Sequence, residues 1–123
     1  MSSKDTNTEY LRGTLELAVL ALLAEKPDHG YGVMKRMRDR SEGALEVAEG
    51  TLYPVLHKLA KQGILSYSSQ RTEANRVAKV YELTTRGEGW LAARRDGWDR
   101  HVQFIASILN GRHRASRGEA ACE

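Results

Sequence analysis

Five side chains that can bind a phosphate or a base edge lie close together in the middle of the chain. They are Thr51, Tyr53, His57, Lys58 and Lys61, and they alternate with a stripe of leucine and valine. Lysine ammonium groups neutralise phosphates, hydroxyls donate hydrogen bonds to them, and an imidazole can reach a base edge or a phosphate. The pattern predicts one helix face without carboxylates, which fits the phosphate-lined groove of a nucleic acid.

The positive charge of the chain is concentrated in the same region. The whole chain of 123 residues carries a formal net charge of only +3. Residues 51–81 contain five basic side chains and one acidic side chain, a local charge of +4 that leaves −1 for the rest. Many basic helices simply have a solvated polar face. The segment that follows the helix, with Arg76 and Lys79, is what favours double-stranded DNA as the partner.

Three helices are predicted in the first half of the chain. Apolar residues at helical spacing indicate a first helix from Tyr10 to Glu25. A second helix opens at residues 29–32 and runs to about Arg40. A third runs from about Thr51 to Gln62, with Pro54 confined to its first turn because proline lacks the N–H that later turns require.

After Gly63 the hydrophobic period changes from about 3.6 residues to about 2. The runs Ile64–Gln70 and Val77–Leu83 predict a β-hairpin with Asn75 near its tip, since asparagine adopts positive φ with little strain. A last helix, from about Thr85 to Leu109, carries apolar residues at heptad-like spacing. Its glycines make it marginal alone, so we expect it to pack against the first helix of a second subunit.

This order of elements predicts a mainly α fold with a small β-hairpin: a winged helix-turn-helix with an added C-terminal dimerisation helix. The predicted organisation is a disordered N-terminus at residues 1–8, a DNA-binding domain at 9–84, a dimerisation helix at 85–109 and a disordered basic tail at 110–123. No stretch is long and apolar enough to span a bilayer, and no signal peptide is visible, so we predict a cytoplasmic protein without a membrane partner.

Several motifs resemble those of the PadR-type transcriptional regulators. They are His29-Gly30-Tyr31, the run EGTLYPVLHKL at residues 49–59, Gly63-Ile64, and KVYELT at residues 79–84 followed by Gly87. The resemblance spans roughly Leu11 to Leu109 and is to the subgroup with a single short C-terminal helix. It implies a homodimer on a near-palindromic operator, with the third helix in the major groove and the wing on the backbone or minor groove.

The resemblance also implies particular DNA contacts. It assigns them to Thr51, Tyr53, Pro54, His57 and Lys58, and to Tyr31 at the start of the second helix. With the basic residues of the helix end and the wing, the predicted DNA-binding set also includes Lys61, Arg76 and Lys79. The wing departs from the family pattern because it keeps one arginine before the lysine and has Glu82 where a basic residue is common. Fewer phosphate contacts should flatten the salt dependence of binding.

A dimer interface and an effector site are predicted from the apolar stripe of the last helix and from the first helix. The interface set is Leu11, Leu15, Val19, Leu91, Trp98, Val102, Ile105 and Leu109. The resemblance places a tryptophan near Trp98 in members that bind flat aromatic compounds, so Trp98, Leu15 and Val19 are the predicted site for a planar aromatic effector. The alternative is that Trp98 only fills the interface.

Other function classes have less support. The four histidines have no cysteine or carboxylate at metal spacing, and no nucleophile turn or phosphate-cradling glycine loop is present, so we predict no metal, no cofactor and no catalysis. A winged helix that binds proteins instead of DNA is an open alternative. The single cysteine, Cys122, is expected to be a bystander; an intermolecular bridge or a redox-sensitive thiol is the other interpretation.

Overall fold

The computed structural model describes residues 12–111, which fold into four helices and three strands. They are, in chain order, α1 (Arg12–Glu25), β1 (Asp28–His29), α2 (Gly30–Arg40), α3 (Glu49–Lys61), β2 (Leu65–Arg71), β3 (Val77–Leu83) and α4 (Thr85–Leu109). The predictions for residues 1–8, Leu11, Cys122 and most of the basic tail fall outside the described residues. Within those residues, no helix is long and apolar enough to cross a membrane.

The predicted mainly helical winged fold is confirmed. The strands form one antiparallel sheet in the order β1-β3-β2, and β2 and β3 are the two arms of the predicted hairpin. Strand β1 was not predicted from the sequence; it pairs Asp28 with Tyr81 and His29 with Val80. A strand of two residues has no measurable period, so only its pairing with β3 reveals it.

Two residues with positive φ set the chain direction around the hairpin. Asn75 has φ of 63° at the predicted tip, which confirms that prediction, and Gly63 has φ of 79° just after α3. The Thr84 hydroxyl donates to the Gly63 carbonyl at 2.7 Å and accepts from the Gly87 N–H at 2.9 Å. Thr84 therefore caps α4 and ties its first turn to the end of α3.

Helix α3 begins at Glu49, two residues before the predicted start. Pro54 consequently lies beyond the first turn, and the prediction that confined it there is wrong. Because proline has no N–H, the carbonyl of Gly50 loses its usual helical partner. Gly50 is exposed, so water can satisfy that carbonyl and the helix continues to Lys61.

Residues 12–91 belong to one compact unit and residues 92–111 to a second. The core of the first unit comes mainly from α1, α3 and the sheet, and it includes Leu15, Val19 and Leu91, which are 4%, 0% and 7% exposed. The structure corrects their assignment to a dimer interface, and that of Leu15 and Val19 to an effector site. Their side chains are already enclosed by their own chain, so a partner or ligand cannot reach them.

Candidate nucleic-acid interface

A cleft of about 320 Å³ opens between the start of α2, the middle of α3 and strand β3. It brings together four of the predicted DNA-binding residues: Tyr31, Tyr53, His57 and Lys79. The other lining residues are His29, Gly30, Ala78 and Tyr81, so hydroxyl, imidazole and ammonium groups surround the space and no carboxylate lines it. We call this space the α3 cleft. Its donors and its positive charge suit an anionic ligand.

Helix α3 presents the predicted polar face because its apolar stripe is anchored in the core. Leu52, Leu56 and Leu59 are fully buried, whereas His57 and Pro54 are exposed. Among the remaining predicted contacts on this helix, Thr51 is half-buried and both lysines are exposed. Thr51, Pro54, Lys58 and Lys61 do not line the α3 cleft, so that cleft is only part of the predicted DNA-binding set.

Tyr53 lies directly against the start of α2. A β-carbon added at Gly30 would lie 2.5 Å from Cε1 of the Tyr53 ring, so this close approach requires glycine. Burial raises the pKa of the Tyr53 phenol, and the nearby Glu49 carboxylate raises it further. The phenol is therefore neutral and can donate a hydrogen bond at physiological pH.

A partly buried polar network fixes the start of α2 at the edge of the cleft. Arg36 donates to the Asp28 carboxylate at 3.1 Å and to the Leu22 carbonyl at 2.7 Å, which joins α1, β1 and α2. The Gly32 N–H donates to Nδ1 of His29 at 3.1 Å and so caps α2. Asp28 and Arg36 were missed by the sequence analysis, since eight residues separate them and no periodicity links them.

Lys58 has a partner that the sequence did not predict. Its ammonium lies 3.0 Å from Oε2 of Glu16, which comes from α1 and is 7% exposed. The outer face of α3 carries no carboxylate of its own in its second half, but packing brings one from another helix. Lys58 therefore joins α3 to α1 in addition to any contact with a phosphate.

The wing supplies one aromatic residue that was not singled out from the sequence. The Lys79 ammonium lies 4.5 Å from the centroid of the Tyr67 ring, and the rings of Tyr67 and Tyr81 are 5.6 Å apart. Burial raises the pKa of Tyr81, and its tyrosine neighbours contribute to the same shift. Arg76, at the hairpin tip, is exposed and does not line the α3 cleft.

The second unit has an exposed row of aromatic rings. Trp98 stacks on His101 with 5.7 Å between centroids, and His101 meets Phe104 edge-on at 5.2 Å. Of the stripe predicted for this helix, Trp98, Val102 and Leu109 are exposed and Ile105 is half-buried. Within residues 12–111, no group of three histidine, cysteine or carboxylate side chains is placed to hold a metal ion.

Comparisons with known proteins agree on one family. A model of the PadR-like family of transcriptional regulators matches residues 19–93. A transcriptional regulator of Mycobacterium tuberculosis is 31% identical over 89% of this chain and 97% of its own length. A PadR-like transcription factor of Bacteroides fragilis has a TM-score of 0.69 at 27% identity, covering 85% of this chain and 98% of its own. A PadR-family regulator of Eggerthella lenta has a TM-score of 0.73 at 26% identity, with coverages of 87% and 91%.

Proposed function

The chain belongs to the PadR-like family and is a DNA-binding transcriptional regulator, and on that basis we propose that it is a dimeric repressor of a near-palindromic operator. In this proposal a planar aromatic effector at the dimer interface releases the DNA. A cytoplasmic location is part of the same proposal.

The observation that carries the proposal is the carboxylate-free α3 cleft. Helix α3 enters the major groove with Thr51, Tyr53, Pro54 and His57 towards the bases, as the family resemblance implies. The cleft then receives the backbone beside the groove, where Tyr31 and Lys79 donate to phosphates. Lys61 and Arg76 add positive charge around it, whereas Lys58 is paired with Glu16.

Dimerisation is supported by the apolar surface of α4. Trp98, Val102, Phe104, Ile108 and Leu109 are all large, apolar and exposed in the single chain. Contiguous exposed apolar side chains on one helix are typical of a protein interface. For half-sites one turn of the duplex apart, the two α3 helices of such a dimer would need to lie about 34 Å apart.

The proposed effector site rests on Trp98 and its ring neighbours. Trp98 and His101 already stack on each other, so an aromatic plane is exposed where a flat ligand can add a further layer. A ligand bound there would release DNA if it changed the separation of the two α3 helices. By linkage, DNA must then weaken ligand binding by the same factor.

The DNA-binding proposal is tested by footprinting the chain on its own upstream region at several salt concentrations. We expect a symmetric protected site, and about 5- to 150-fold weaker binding for Tyr53→Phe combined with His57→Ala, because each hydrogen bond to a neutral base edge contributes about 0.5–1.5 kcal/mol, or about 1–3 kcal/mol for the two. Arg95→Gln, an exposed basic residue of the second unit, is the control and should bind normally. Absence of any DNA binding at low salt would favour a protein-binding winged helix instead.

The dimer and the effector are tested separately. Val102→Glu should convert a dimer to a monomer in sedimentation equilibrium, since it places a charge in an apolar interface. For the effector, a Trp90→Phe background leaves Trp98 as the only tryptophan of the chain. Planar drugs, dyes and phenolic acids should then quench its fluorescence and weaken operator binding. Saturating titrations that change neither would refute the effector proposal and leave Trp98 as an interface residue.

A further inference from the structure

The Lys79 ammonium is held by a ring and not by a carboxylate. Its nitrogen lies 4.5 Å from the Tyr67 centroid, within the range of about 6 Å for a cation–π contact. Within residues 12–111, no acidic side chain forms an ion pair with Lys79. A ring attracts the ammonium without cancelling its charge, so Lys79 stays available to an anion. Lys58 differs, because Glu16 already neutralises it.

Sheet register explains why Tyr67 can hold Lys79. Tyr67 lies opposite Tyr81, and Ser69 lies opposite Lys79, so Tyr67 and Lys79 are diagonal neighbours on one face of the sheet. The buried Tyr81 packs on the Tyr67 ring and fixes the orientation of that ring. Tyr67 itself is 52% exposed. Lys79 and Tyr81 both line the α3 cleft, so the ring holds the ammonium at the cleft wall.

We propose that Tyr67 is a positioning residue that holds Lys79 ready for one backbone phosphate of the duplex at the α3 cleft. The inference rests on the proposed DNA-binding function and adds the residue that orders the wing lysine. A lysine side chain loses much conformational freedom when it is fixed. Because Tyr67 already restricts the Lys79 side chain in the free protein, less conformational entropy is lost when DNA binds.

The test uses a mixed-sequence duplex of about 30 base pairs, because phosphate contacts do not depend on sequence, and it measures affinity between about 50 and 200 mM salt. Lys79→Met should make the negative slope of log affinity against log salt shallower by about 0.9, the value for one phosphate. Tyr67→Ile, which keeps a strand-forming apolar cover on Tyr81, should weaken binding about 2- to 5-fold, the equivalent of an exposed cation–π contact. Tyr67→Phe keeps the ring and should bind like the wild type.

Non-additivity separates positioning from a direct contact. In a Lys79→Met background, Tyr67→Ile should have no further effect on affinity or on the salt slope. The inference is overturned if Tyr67→Ile weakens binding equally in both backgrounds, or if Tyr67→Phe is as weak as Tyr67→Ile. Arg95→Gln is the control for a lost charge, and circular dichroism confirms that each variant is folded. A wild-type chain that fails to bind the duplex at low salt would refute the proposed function itself. If the wild type binds but the salt slope of Lys79→Met is unchanged from the wild-type value, only this inference is refuted.

Discussion

Lys58→Met should destabilise the fold more than Glu16→Gln, although both changes break the same ion pair. The two partners differ in exposure: the Glu16 side chain is 9% exposed and the Lys58 side chain 57%. Without Lys58, the carboxylate stays buried and loses its ammonium partner. Without the Glu16 charge, the ammonium can be solvated by water. Glutamine has the same length as glutamate, and methionine keeps the apolar stem of lysine without its ammonium group, so the comparison is mainly one of charge.

The size of the expected stability loss follows from the partial burial of the Glu16–Lys58 pair. Removing one partner of a fully buried pair costs about 3–5 kcal/mol, whereas an exposed pair contributes about 0–1 kcal/mol. Since only the carboxylate is buried, we expect a loss of about 1–3 kcal/mol for Lys58→Met and under about 1 kcal/mol for Glu16→Gln. The double variant should resemble Glu16→Gln alone, because the buried carboxylate charge is absent from both.

Urea denaturation at one fixed protein concentration measures these differences, provided that the slope with denaturant is unchanged among the variants. Equal losses for the two single variants, or a larger loss for Glu16→Gln, would refute the reasoning. The comparison also bears on DNA binding. A Lys58 variant loses an α1–α3 contact as well as a charge, so weaker DNA binding by that variant alone does not establish a phosphate contact.

Three further predictions concern the fold. Gly89→Ala should raise the stability of α4 by up to about 1 kcal/mol, because an added β-carbon meets nothing within 4 Å. Gly87→Ala should destabilise the chain in the same urea assay, because its β-carbon would lie 2.2 Å from the Ile64 carbonyl oxygen. A stabilised Gly87→Ala variant would contradict the packing. Asn75→Val should lower the melting temperature and Asn75→Gly should not, since φ of 63° strains a β-branched residue; equal melting temperatures would count against a turn of this shape. The pKa of Tyr81 is raised in the folded chain, chiefly by burial, so its contribution to stability is complete below the ordinary value of about 10 and is lost as pH rises through the folded pKa. Tyr81→Phe should therefore lose less stability between about pH 9 and 11 than the wild type, and an identical alkaline profile would show that another group controls it.

The local structure and the chemical character of the binding face could be predicted from the order of the amino acids alone. The helices followed from the spacing of apolar residues, although α3 begins two residues before the predicted start. The hairpin followed from the change of period after Gly63, and its tip from Asn75. The outer face of α3 was readable because a helix that buries Leu52, Leu56 and Leu59 must expose the residues between them. These features depend on neighbours within a few positions along the chain, and periodicity records such neighbours directly.

Contacts between residues far apart in the chain, in contrast, became apparent only from the folded arrangement of the helices and strands. The two-residue strand β1 brings the start of α2 to β3 and so completes the α3 cleft. The pairing of Glu16 with Lys58 joins residues 42 positions apart, and the place of Tyr67 beside Lys79 depends on strand register. Periodicity likewise shows that Leu15 and Val19 must be buried without showing what buries them. Helix α1 is apolar around most of its circumference, so its sequence cannot distinguish its own core from a partner subunit, and packing assigned both residues to the core.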